Sequence, residues 1–149
     1  FVITRSAYSG TQRYTSTWMG DNVATWEHLQ IANIQAQRLA LSGFSFAGSD
    51  IGGFAEQPNG ELYTRWIQLG VFHPFCRTHS SGDHGEQEPW AFDDEVIDVV
   101  RKFIRYNNML AKRKLSNLCL MCITKTERKT LNYMKMLMMV TITPKDVIA

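Results

Sequence analysis

No run of residues in this sequence approaches the roughly 20 consecutive apolar side chains that a membrane-crossing helix requires, which excludes such a helix and leaves no membrane partner expected. Cysteine is scarce as well: Cys76 stands alone, and Cys119-Leu-Met-Cys122 is a single CxxC with no second ligand pair beside it. Zinc asks for four ligands, so no metal site is expected, and the cysteines leave the redox compartment open. No charged-then-apolar leader opens the chain. Phe1 already stands in a strand-like stretch, so the natural N-terminus is expected to lie upstream, and the missing leader says nothing about secretion or localisation.

What is present is the composition of one globular domain: 149 residues, 44% hydrophobic and 11% aromatic, enough to build a packed core. The small net charge of +2 conceals an asymmetry. Residues 1–110 hold 8 Lys/Arg against 12 Asp/Glu, whereas 111–149 hold 8 against 2, so the two stretches carry −4 and +6. A basic tail can point to nucleic acid, but aromatic interleaving is thin and no binding-module signature occurs, so no nucleic-acid partner is expected and the bland reading is a solvated face.

The first 110 residues alternate in type. Phe1-Val2-Ile3-Thr4 has a buried-strand signature. Thr25 is an N-cap for a helix in which Trp26, Leu29, Ala32, Ala36, Leu39 and Ala40 keep helical spacing, and Ser42-Gly43 closes it. Gly43 to Gly48 reads as a second strand and Ile51 to Phe54 as loop; Asn59-Gly60 marks a turn before a helix from Glu61 to Val71 with Leu62, Trp66 and Leu69 on one side. Phe72 to His79 contains a third strand. Asp93-Asp94-Glu95 then opens a helix with core positions Val96, Val99, Val100 and Phe103, the acids sitting where the helix dipole favours them.

Strand and helix alternating three times predicts an α/β fold of parallel strands with crossover helices. In such folds chemistry collects at the carboxyl ends of the strands. The polar groups there are Arg5-Ser6, Asp50 and Arg77-Thr78-His79, with Asp21 in the long loop behind the first strand. Each has a structural alternative. Asp21 can cap the helix behind it, Arg5 and Arg77 can each pair with Asp50, His79 can be a satisfied loop histidine, and Trp18 and Phe54 can be core aromatics.

The residues themselves resemble a known family. Arg5-Ser6, Gly10-Thr11-Gln12-Arg13-Tyr14, Trp18-Met19-Gly20-Asp21-Asn22, Trp26-Glu27-His28-Leu29, Asp50-Ile51-Gly52-Gly53-Phe54, Arg65-Trp66, Gly70, Pro74-Phe75-Cys76-Arg77-Thr78-His79 and Glu88-Pro89-Trp90 are similar, in order, to the second half of a glycoside hydrolase family 31 catalytic domain. The family comprises retaining α-glucosidases and α-xylosidases on a (β/α)₈ TIM barrel. The resemblance implies that residues 1–106 are the C-terminal part of such a barrel, about three β/α units, and that 107–149 form an atypical basic tail.

It implies further that Asp21 is the general acid/base, that Arg5 and His79 hydrogen-bond the reacting sugar, that Trp18 and Phe54 wall it, and that Asp50 and Arg77 support the pocket. The substrate implied is an α-glucoside oligosaccharide, with no cofactor. A retaining mechanism also needs a carboxylate nucleophile about 5 Å from the acid. In the family it sits on an earlier strand, in a motif of the tryptophan, aspartate, methionine, asparagine type that this sequence does not contain. The chain alone is therefore expected to be inactive, and less than half a barrel is expected to leave strand edges unpaired and the cleft open on one side. The other functional class is a non-catalytic carbohydrate-binding or barrel-derived structural protein, and upstream coding sequence discriminates the two. Within the family, Ser80 to Trp90 is more similar to the α-glucosidase branch than to the α-xylosidases.

After Phe103-Ile104-Arg105-Tyr106 the likeness ends. Met134-Lys135-Met136-Leu137-Met138-Met139 is rich in a residue with one codon, ATG, and ATG runs read in a neighbouring frame give Asp and Glu codons. Shifted so, the stretch can read Leu-Tyr-Glu-Asp-Ala-(Asp)-Asp-Gly, similar to a Leu-Tyr-Glu-Asp-Asp-Gly turn in C-terminal β-domains of bacterial members. A frameshift is expected to account for the +6 tail, and the nucleotide sequence decides it.

Overall fold

The computed structural model describes residues 1–112, so Cys119, Cys122 and the methionine-rich stretch lie outside the described residues. Among the described residues five short strands and three helices follow one another: β1 (Ile3–Thr4), β2 (Ser16–Trp18), α1 (Trp26–Leu41), β3 (Ala47–Gly48), β4 (Asp50–Ile51), α2 (Gly60–Gly70), β5 (Arg77–Thr78) and α3 (Asp94–Lys112). All strand pairs are parallel. β1 lies against β2 with Ile3 opposite Ser16, β2 against β3 with Thr17 opposite Ala47, and β4 against β5 with Asp50 opposite Arg77.

Only Ser49 separates β3 from β4, so residues 47–51 are one extended segment that pairs with β2 through its first half and with β5 through its second. The Phe75 N–H adds a bond of 3.2 Å to the Ala47 carbonyl, tying the two ladders together. This close approach explains Gly48: a Cβ there would stand 1.8 Å from the Phe75 carbonyl oxygen. Among the described residues β1 pairs only with β2 and β5 only with β4. Phe1 and Val2 are exposed beside β1, and the Phe1, Phe46 and Phe75 rings meet with centroids 5.9–6.0 Å apart.

Each helix begins where a side chain takes up orphan N–H groups. Thr25 accepts from the His28 N–H at 3.2 Å, Asn59 from that of Leu62 at 2.8 Å, and Asp93 from that of Val96 at 2.9 Å. The core forms where the apolar faces of the helices meet the sheet: Leu29 and Ala32 from α1, Ile51 from β4, Leu62, Tyr63, Trp66 and Ile67 from α2, Val96 and Val100 from α3. Trp66 is fully buried, and its indole N–H reaches Ser49 Oγ at 3.1 Å, fixing α2 to the joint between β3 and β4.

Several sequence expectations are corrected or narrowed. Ser16 to Trp18, read as loop, is a strand between β1 and β3; its first two side chains are hydroxyls buried to 3% exposure, so no apolar run announces it. The link from β1 to β2 is a loop with one 3₁₀ turn at Thr11–Arg13, with no crossover helix. Ile51, also read as loop, is strand, because it lies opposite Thr78. Of Phe72 to His79 only Arg77–Thr78 is strand, since the Phe72 and His73 N–H groups turn back to Leu69 and Gly70 and finish α2. α3 runs on past residue 106 to Lys112.

Candidate active site

Because the strands are parallel, the residues at their carboxyl ends share one end of the sheet. Arg5 follows β1 directly. Trp18 ends β2 and Asp21 stands three residues beyond it; Phe54 stands three beyond β4, and His79 follows β5. Asp50 and Arg77 open β4 and β5 as register partners, which puts their side chains on the same face of the ladder.

The Arg5 guanidinium donates through Nη1 to Asp21 Oδ2 at 3.0 Å, with the two side chains 59% and 41% exposed. Asp21 therefore caps nothing: α1 starts on Thr25, and the recorded partner of Asp21 is Arg5. Arg5 does not pair with Asp50. Arg77 does, with Nε and Nη2 both 3.0 Å from Asp50 Oδ1, and Asp50 is completely buried. Arg77 also lies over two rings, its guanidinium carbon 5.8 Å from the centre of Trp18 and 5.1 Å from that of Phe75. Such contacts stabilise a cation by about 0.5–2 kcal/mol and hold the Trp18 ring beside the β4 to β5 ladder.

Burial raises the Asp50 carboxyl above its ordinary range; Arg77 and, more weakly, His79 oppose this, while Asp21 adds to it. The Asp50 carboxyl thus lies within electrostatic range of both Asp21 and His79. Phe54 meets the His79 ring at a centroid distance of 5.3 Å. All seven residues singled out in the sequence fall in one cluster: a carboxylate held by an arginine at the rim, a buried carboxylate and arginine beneath it, two aromatic rings and an imidazole around them. That set can grip and wall a small polyhydroxylated molecule. A groove of about 320 Å³ shares Arg5 and Trp18 with this cluster and runs from them past Thr17 to Gln35 and Arg38 of α1; Asp21, Asp50, Phe54, Arg77 and His79 do not line it.

Sequence reasoning passed over the residues that set the loops. Asn22 accepts the Phe54 N–H at its carbonyl, 2.7 Å, and at Oδ1, 3.3 Å. Gln87, 4% exposed, donates to the Gly53 carbonyl at 3.0 Å and to that of Glu56 at 3.4 Å. A glutamine between two glutamates carries no pattern that foretells burial. Asn22 did lie inside a quoted motif, beside Asp21.

Comparison with known proteins gives a family and near relatives. The model of the glycosyl hydrolases family 31 TIM-barrel domain matches residues 1–111. Alpha-glucosidase 2 of Bacillus thermoamyloliquefaciens is 48% identical over 105 residues, covering 70% of this chain and 13% of the relative. Neutral alpha-glucosidase AB of Mus musculus is 44% identical over 109 residues, covering 72% of this chain and 12% of the relative. Among solved structures, a glucosidase II alpha subunit superposes with a TM-score of 0.71 at 32% identity, covering 79% of this chain and 13% of that one. A family 31 alpha-glucosidase from Bacteroides thetaiotaomicron superposes with a TM-score of 0.68 at 37% identity, covering 78% and 21%. The chain thus spans only a small part of the length of the proteins it matches.

Proposed function

This chain belongs to glycosyl hydrolase family 31, and from that premise we propose that it is the C-terminal part of a (β/α)₈ barrel in a retaining α-glucosidase that removes terminal α-linked glucose. Residues 1–106 are the barrel portion and 107–149 a divergent basic tail. The observation that carries the reading is Asp21, half exposed beyond β2, held by Arg5 and within electrostatic reach of the buried Asp50.

The chemistry runs in two displacements. In the first, a carboxylate nucleophile from another part of the barrel bonds to the anomeric carbon as the glycosidic bond breaks, and Asp21 gives its proton to the departing oxygen. In the second, Asp21 takes a proton from water, whose oxygen bonds to the anomeric carbon and releases the nucleophile. Arg5 and His79 hold sugar hydroxyls, and those bonds tighten as oxocarbenium character develops. Trp18 and Phe54 exclude water and lie against the apolar face of the ring. Asp50 and Arg77 keep the wall in position from below and take no part in bond making.

Since the family's nucleophile motif does not occur in this sequence, the 149-residue chain alone is inactive. The test has two arms. The purified chain releases no phenol from an aryl α-glucoside beyond an Asp21→Asn control, and the intact parent enzyme prefers aryl α-glucoside to aryl α-xyloside. Activity of the chain above that control overturns the first statement, and the opposite preference overturns the choice of substrate.

A further inference from the structure

The turn that carries Phe54 is conformationally costly. Gly52 and Gly53 have φ of +90° and +92°, and Glu56 closes the turn with φ +65°, where a side chain is disfavoured. Something must hold it, and the structure supplies bonds from three neighbouring stretches. The Phe54 N–H goes to the Asn22 carbonyl at 2.7 Å, and the Phe54 carbonyl receives the Ser81 N–H at 2.9 Å. Phe54 is therefore stitched by its backbone to the residue after Asp21 on one side and to the loop that follows His79 on the other.

The third contact comes from Gln87. Its carboxamide Nε2 donates to the carbonyls of Gly53 and Glu56, bracketing Phe54 in sequence, and the side chain is almost wholly buried to do so. The fit is close: a Cβ on Gly52 would stand 2.9 Å from Gln87 Oε1. Gln57, the residue after Glu56, answers in the other direction, its Nε2 donating to the Glu86 carbonyl at 2.7 Å, so the segment before Pro89 is fastened to the turn from both sides. Carbonyl groups are acceptors only, so this hold needs an N–H₂ and no residue of the same shape without one replaces it.

We propose that Gln87 is a positioning residue: by donating to Gly53 and Glu56 it locks the 52–56 turn, which sets the Phe54 ring against His79 and keeps the Asp21 and His79 loops in register. The role as part of a sugar pocket rests on the function proposed above, whereas the brace itself does not. Gln87 touches no reacting atom, and its effect reaches the site through Phe54.

The test uses the full 149-residue chain and two variants, Gln87→Met, which keeps the length and has no donor, and Gln87→Glu, which keeps the shape and, at a pH where its carboxyl is ionised, has no donor either. Amide exchange at Phe54 and Ser81 is expected to accelerate about five- to tenfold in both, the effect of one lost hydrogen bond, while α1 and α2 keep their rates. The His79 ring resonances lose the shift imposed by the Phe54 ring. Wild-type exchange and unchanged His79 resonances in either variant overturn the proposal. So does a wild-type chain whose Phe54 and Ser81 amides exchange freely while its helices are protected, a result that needs no variant to fold. Binding of 1-deoxynojirimycin to the intact parent enzyme reads the pocket separately: binding that weakens in both variants supports the full proposal, and binding unchanged in both with the exchange effects intact leaves the brace standing and refutes the sugar-pocket role.

Discussion

Arg77 places Nε and Nη2 both 3.0 Å from one oxygen of Asp50, Oδ1, while the other oxygen, Oδ2, is buried with no hydrogen-bond partner among the described residues. Among the described residues Arg77 is thus the hydrogen-bonding partner of a carboxylate that has left water entirely. Deleting one partner of such a pair strands the other, at a cost of about 3–5 kcal/mol, whereas neutralising the carboxylate is milder. Arg77→Met is therefore expected to lower the urea unfolding midpoint far more than Asp50→Asn does. Equal midpoints for the two variants would count against a buried, ionised Asp50.

His73 gives the chain a pH limit of its own. It is 3% exposed, its Nδ1 accepts the Ser49 N–H at 3.5 Å, and burial pushes its pKa from 6.5 down to about 4. Between those values the unfolded chain binds a proton that the folded chain refuses, so stability rises with pH there. The contribution is fully present above 6.5 and is lost as pH falls toward 4, amounting to roughly 3 kcal/mol. Asp50 acts in the opposite sense: its raised pKa makes the folded form hold its proton longer, so its contribution falls as pH rises above 3.8. Thermal midpoints measured from pH 7 downward are expected to fall less steeply in His73→Gln than in the wild type. An unchanged slope refutes the assignment of that slope to His73.

Helix boundaries were legible because capping is local. Thr25, Asn59 and Asp93 each sit next to the first helical residue and are polar for a reason that spacing reveals. The strands were less so. Ser16 and Thr17 are buried by neighbours on both edges, and the partners that bury them lie 13 to 30 residues away. The pairing of Arg5 was not legible for the same reason: both Asp21 and Asp50 were available to it, and the choice depends on how β1 and β2 are stacked. Gln87 was invisible altogether, since its value lies in two backbone carbonyls that any sequence would supply.

Gly48 tests the joint between the ladders. With the Phe75 carbonyl 1.8 Å from the site of a new Cβ, and backbone unable to swing aside as a side chain would, Gly48→Ala must push the Phe75 segment that leads into β5 away from β3. Overpacking of this kind costs about 1–3 kcal/mol, at the upper end where the neighbour is rigid. The expected result is a lower thermal midpoint with weakened protection of the Phe75 amide. Full protection of that amide in the variant would mean that the strands adjust more freely than their geometry suggests.

The role proposed for Asp21 makes a prediction that separates proton transfer from mere support of the site, and it applies to the intact parent enzyme. With Asp21→Asn the departing oxygen receives no proton, so an alkyl α-glucoside should lose about 10²–10⁴ in kcat/KM. An aryl α-glucoside with an acidic phenol leaves without help and should lose much less in that first displacement. The second displacement still lacks its base, so the glycosyl intermediate should accumulate as a burst. Azide needs no deprotonation; added to the variant, it should attack the intermediate from the side that Asp21 faces, restore turnover and give the α-glucosyl azide. Formation of the β-azide would make Asp21 the nucleophile instead, because the anion would then have replaced the missing carboxylate in a single inversion. Equal losses on both substrates with no rescue would reduce Asp21 to a structural partner of Arg5.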